Sequence, residues 1–129
     1  MSPTRNLHGY YVNKLARLLE RHLPQGEVIV ECAVDTEDGT KEADVVWASK
    51  ERFAIIRDEF SSSIAPEICA EVMSPSNTPS EMMTKKDLYL KAGAKEYWLC
   101  DETGNVKFYD ASGALNGSRF CPGFPSKVE

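Results

Sequence analysis

Between residues 67 and 101 the sequence alternates strand, helix and strand, and that order constrains the fold more than any other feature. The apolar run 67–73 is closed by Ser74-Pro75-Ser76-Asn77. Thr78-Pro79-Ser80-Glu81 then supplies a capping threonine, a proline in the first turn and a glutamate three residues after the cap. Gly93 stops the helix just past Ala92, and 95–101, rich in Tyr97, Trp98 and Leu99, reads as the next strand. Two strands joined through a helix run parallel through a right-handed crossover, so the helix is expected to pack against the sheet they share.

The rest of the chain builds around this unit. Leu7, Tyr11, Leu15, Leu18 and Leu19 recur at spacings of three and four, which predicts an amphipathic helix over 4–22, opened by Ser2-Pro3 and closed by Leu23-Pro24-Gln25-Gly26. Strands over 27–34 and 43–48 form an antiparallel hairpin with a longer loop through Asp38-Gly39. A short helix is expected at 51–57, ahead of Ser61-Ser62-Ser63. Glu102-Thr103-Gly104-Asn105 turns into a strand at 106–109, 111–118 reads as a small-residue loop, and 119–121 as a last short strand. The expected fold class is α/β, one domain over residues 1–129 with a central mixed β-sheet flanked by α-helices.

Size and charge narrow the function. With 129 residues and 42% hydrophobic content, the chain can bury one real core and has little room for a second. Its apolar runs, such as Val45-Val46-Trp47-Ala48, fall far short of the roughly 20 residues that cross a bilayer, so no membrane association is expected. No apolar segment of a secretory signal follows Met1, which makes the cytoplasm the expected compartment. The spacings between Cys32, Cys69, Cys100 and Cys121 match neither a zinc site nor a redox pair. Fifteen basic against twenty acidic residues give a net charge of −5, which disfavours a non-specific polyanion binder. An enzyme that meets nucleic acid locally through a metal stays open.

Three carboxylates stand out. Glu31 lies within Val28-Ile29-Val30-Glu31-Cys32-Ala33-Val34, Asp44 precedes Val45-Val46-Trp47, and Glu71 lies within Ile68-Cys69-Ala70-Glu71-Val72-Met73. Acids are scarce in strands, and a buried one is costly unless something positive compensates it. Alternation puts Glu71 on one face with Cys69 and Met73. The plain alternative is that each strand has one wet face to which its acid points. If neighbouring strands bring Asp44 and Glu71 together, the simplest way to keep both ionised is a hard divalent cation, magnesium or manganese, which also acidifies a water for phosphodiester cleavage. On the second long helix Glu81, Lys85 and Tyr89 share a face at spacings of four. Alone, that pattern is an exposed ion pair beside a half-buried tyrosine; beside the two acids, Lys85 would complete a site.

The run Glu71-Val72-Met73-Ser74-Pro75-Ser76, followed by Glu81, Lys85, Tyr89, Gly93 and Glu96-Tyr97-Trp98-Leu99, resembles the Uma-two family of restriction-endonuclease-like proteins. Glu42-Ala43-Asp44-Val45-Val46-Trp47 and His8 also resemble that family, so the likeness covers nearly the whole chain. It implies the restriction endonuclease-like fold of the PD-(D/E)xK superfamily, a magnesium-dependent DNA endonuclease and, commonly, a homodimer. Carried across residue by residue, it implies Asp44 and Glu71 as metal ligands, with the Val72 backbone carbonyl as a further one. It implies Lys85 as the group that orients or helps deprotonate the attacking water, and Glu31 and His8 as peripheral members.

The sequence departs from the family pattern in three places. Ala43 replaces a proline that shapes a turn and supplies no ligand, and Glu81 stands where aspartate is usual. Met73 occupies the strand position where the superfamily has lysine, which leaves that role to Lys85. The competing reading is a catalytically silent domain that keeps the fold for dimerisation or partner binding, and the net charge favours it. A metal-independent hydrolase with a cysteine or serine nucleophile is weaker still, since His8 and His22 are the only histidines and neither lies in a nucleophile motif.

Overall fold

The computed structural model describes residues 5–129, in which helix α1 (Asn6–His22) leads into strands β1 (Glu27–Thr36) and β2 (Gly39–Ala48). Helix α2 (Lys50–Ile56), strand β3 (Ile68–Val72) and helix α3 (Pro79–Lys91) follow, then β4 (Glu96–Cys100), β5 (Val106–Asp110) and β6 (Gly113–Leu115), and the segment 116–129 carries no further strand or helix. The six strands form one sheet in sequence order. Only β3 and β4 run parallel, with Cys69 beside Tyr97 and Glu71 beside Leu99, and every other neighbouring pair is antiparallel. The sheet is therefore mixed, and α3 makes the crossover between its parallel strands.

Each face of the sheet has its own core. Tyr11, Leu15 and Leu19 of α1 pack on Val45, Trp47, Ile68 and Trp98, with Phe124 and Val128 from the C-terminal segment closing that face. Met82 and Tyr89 of α3 cover the other face, over Val46, Cys69, Tyr97 and Leu99. Period-two alternation in β3 and β4 divides their side chains between the two cores. The start of α3 carries the full capping box: Glu81 N–H donates to Thr78 Oγ1 (3.2 Å) and Thr78 N–H to Glu81 Oε1 (2.6 Å). Helix α2 is capped by Ser49, whose hydroxyl oxygen accepts from Arg52 N–H. All four cysteines are free and buried, behaving as small apolar groups. Among the described residues no helix is long and apolar enough to cross a membrane.

Several expectations are corrected. The first hairpin is tight rather than long-looped: β1 and β2 extend until Thr36 faces Gly39 across Glu37 and Asp38, with Gly39 in the left-handed region at φ +83°. Within 111–118, expected as loop, β6 pairs with β5, with Gly113 at φ +117° beside the turn. Residues 119–121 form no strand, because the N–H groups of Arg119 and Phe120 donate to the Glu96 carboxylate instead of a ladder. Arg5 holds the N-cap position of α1 without a side-chain cap bond, and the expected Ser2-Pro3 start lies outside the described residues.

Candidate active site

The β2–β3 ladder ends at Val45 and Ala70, and the next pair in the same register is Asp44 and Glu71. There the side chains take over from the backbone. Asp44 N–H donates to Glu71 Oε1 (2.8 Å), and Val72 N–H donates to Asp44 Oδ2 (2.8 Å). Each carboxylate thus holds the backbone of the opposite strand, and the two acids are locked side by side. Glu71 points to the α3-covered face with Cys69, as alternation requires, and is 1% exposed. Asp44 is half-buried and opens to solvent.

Lys85 reaches down from α3 and makes an ion pair with Glu71 Oε2, and its Nζ also donates to the Glu42 carbonyl (3.4 Å). Apart from that ion pair, Glu71 Oε2 has no hydrogen-bond partner. Burial, and then the neighbouring Asp44 carboxylate, push the Glu71 pKa up to about 7, and the Lys85 ammonium opposes the rise. On the solvent side His8 of α1 brings Nε2 to 3.4 Å from Asp44 Oδ2.

Glu31 takes up a conformation that sequence reasoning could not foresee. The β1–β2 register places it opposite Asp44, between the pairs Val30 with Val45 and Cys32 with Ala43, yet the ladder is interrupted there. Its φ is +54°, and it is the one non-glycine residue with positive φ among the described residues. Alternation breaks on both strands at this point: Ile29, Cys32 and Val34 all serve the α3-side core, as do Ala43 and Val46. Glu31 is exposed and reaches the site from its rim.

The structure therefore brings Asp44, Glu71 and Lys85 together, sets His8 against Asp44, and leaves Glu31 at the edge of an open cleft of about 400 Å³ bounded on the other side by Arg5, His8 and Gly9 of α1. Val72 joins the cluster through its backbone, while its side chain serves the α1-side core. Arg5 and Gly9 carried no signal in the sequence, because their relevance depends on α1 lying across the end of β2. Among the described residues no three histidine, cysteine, aspartate or glutamate side chains form a ready-made ligand cluster. Two adjacent carboxylates are instead the start of the sparse, hard oxygen set that magnesium accepts with waters completing its shell, and Glu71 Oε2, held only by the Lys85 ammonium, fits that use.

A family model described as "Uma2: Putative restriction endonuclease" matches residues 1–115. The fold is similar to a crystal structure described as "a putative nuclease belonging to DUF820", from Anabaena variabilis, with a TM-score of 0.79 and 16% sequence identity, over 98% of this chain and 80% of that one. No curated protein matches the sequence.

Proposed function

The chain belongs to the Uma2 family of restriction-endonuclease-like proteins, and from that premise we propose that it is a metal-dependent DNA endonuclease centred on Asp44, Glu71 and Lys85. One observation carries the reading: the β2–β3 ladder ends where two carboxylates face each other, and a lysine from the following helix meets the inner one. Asp44 and Glu71 would hold one Mg²⁺ or Mn²⁺ with the Val72 carbonyl as a further ligand. When bound, such an ion supplies Lewis acidity and lowers the pKa of a coordinated water. Lys85 holds a positive charge beside the inner carboxylate, where it can orient the attacking water and stabilise charge developing on the phosphate. The crossed hydrogen bonds to Asp44 N–H and Val72 N–H fix both carboxylates before any substrate arrives, so little reorganisation remains for the reaction.

The second reading, a silent scaffold for dimerisation or partner binding, is favoured by the net charge of −5, which weakens attraction for a polyanion. Cleavage assays separate the two. Purified protein is expected to nick plasmid DNA slowly with Mg²⁺ or Mn²⁺, and Lys85→Ala to abolish this without unfolding the chain. Lys86→Ala, turned about 100° around α3, is expected to cleave normally. Titration calorimetry should show magnesium binding that the Asp44→Ala, Glu71→Ala double variant loses. No cleavage with either ion across a range of salt would overturn the nuclease reading in favour of the scaffold, and cleavage by Lys85→Ala at the wild-type rate would overturn the role given to Lys85.

A further inference from the structure

Gly9 is a glycine that the protein itself does not require. It sits in the second turn of α1, outside the set of left-handed glycines, so its backbone conformation is open to any residue. A Cβ built there would meet no atom within 4 Å, whereas one at Gly26 would collide with the Trp47 ring at 2.2 Å. Packing therefore explains Gly26 and leaves Gly9 unexplained. Glycine weakens a helix interior relative to alanine, because it has more backbone freedom to lose on folding.

Its position supplies the reason. Arg5, His8, Gly9 and Val12 fall at i, i+3, i+4 and i+7, one stripe of α1, and this stripe forms one wall of the cleft whose opposite side holds Asp44 and Glu31. The stripe offers hydrogen-bond donors next to a gap: Arg5 lies one turn before Gly9, and His8 is its neighbour in the chain. Arg5 is well exposed and loosely paired with Glu102 at 3.8 Å, and His8 stands beside Asp44. Guanidinium and imidazole N–H groups suit phosphate oxygens, and the side-chain-free helix surface next to them admits a backbone at close range.

We infer that Gly9 is the contact point for the sugar–phosphate backbone of the DNA strand, which lies along the α1 wall beside Arg5 and His8 with its scissile phosphate over Asp44. This rests on the nuclease reading and adds to it the path of the substrate. It also explains how a chain of net negative charge can hold DNA: a cation would neutralise the acids that line the cleft, and Arg5 and His8 add donors from α1.

The test uses Gly9→Ala and Gly9→Gln in the full chain, with three measurements: thermal unfolding, magnesium affinity without DNA, and binding of a fluorescein-labelled DNA duplex in Ca²⁺. Both variants are expected to melt about 3 °C higher than wild type, from improved helix propensity. Magnesium affinity should stay the same. DNA affinity should fall about threefold for alanine and about tenfold or more for glutamine, graded by the volume placed in the gap. A Gly9→Gln protein that binds and cleaves DNA like wild type, while wild type binds magnesium and cleaves, overturns the inference and leaves the nuclease reading standing. A wild type that binds no DNA overturns both.

Discussion

Glu71 and Glu96 are carboxylates on neighbouring parallel strands, 1% and 2% exposed, and the structure treats them in opposite ways. Glu96 is fully provided for. Its oxygens accept from Trp98 Nε1 (2.8 Å), Ser118 Oγ (2.6 Å) and the N–H groups of Arg119 (2.8 Å) and Phe120 (2.9 Å). Those bonds fasten the segment after β6 across the sheet and seat Phe120 against Trp47. Glu71 has one oxygen on Asp44 N–H, and the other meets only the Lys85 ammonium. A buried charge with all its lone pairs engaged is architecture and has nothing left to offer a ligand. A buried charge that accepts one hydrogen bond and otherwise meets a single ammonium, beside a second acid, is costly to the fold, and under the proposed nuclease reading a metal ion would complete it.

The largest effect expected from this contrast is at Glu96. Glu96→Ala leaves one indole, one hydroxyl and two backbone donors without their acceptor, so the chain should lose about 3–5 kcal/mol and melt about 15 °C lower. Chemical denaturation checks it, and a loss below about 1 kcal/mol would remove Glu96 as the peg of the C-terminal segment.

At Glu71 the sign reverses. Its pKa in the folded chain, about 7, lies above the ordinary carboxyl value of 4.5, so its contribution to stability is fully present below about pH 4.5 and is lost as pH rises through about 7. Metal-free protein should therefore be less stable at pH 8 than at pH 5 through this group, by on the order of 3 kcal/mol. Glu71→Gln should remove that part of the pH dependence, seen as the difference between the two denaturation profiles. Added magnesium should restore stability at pH 8 in wild type and leave Glu71→Gln unmoved. Parallel pH profiles for the two proteins would show that Glu71 is as well compensated as Glu96.

The smallest effect concerns the surroundings of Glu71. Tyr97 and Tyr89 stack at 6.0 Å between ring centroids, both hydroxyls are buried without a partner, and burial, followed by the Glu71 carboxylate, pushes both pKa values far above the usual phenol range. Tyr97→Phe removes an unsatisfied hydroxyl while keeping the ring. It should change stability by less than about 1 kcal/mol, in the stabilising direction. A loss of more than that in calorimetric unfolding would mean the hydroxyl is bonded in solution and the polar shortfall is confined to Glu71.

Local signals carried much of this in the sequence itself. The capping box at Thr78 and Glu81, the stop at Gly93 and the alternation that sets Glu71 beside Cys69 depend on residues within one turn or one strand of each other, and they appear in the structure as written. The convergence of Asp44, Glu71 and Lys85 was legible only through the resemblance, since spacing alone left each acid free to face water. Which carboxylate is buried, satisfied or strained was decided by tertiary structure. Glu31 lies among the apolar residues of a strand and is exposed on a strained backbone, while Glu96, at the head of Glu96-Tyr97-Trp98-Leu99, is sealed by donors more than twenty residues further along the chain. Helix and strand periods are properties of neighbours, so composition and order determine them. Whether a buried charge finds its partners depends on where distant backbone N–H groups come to rest, and only the assembled sheet settles that.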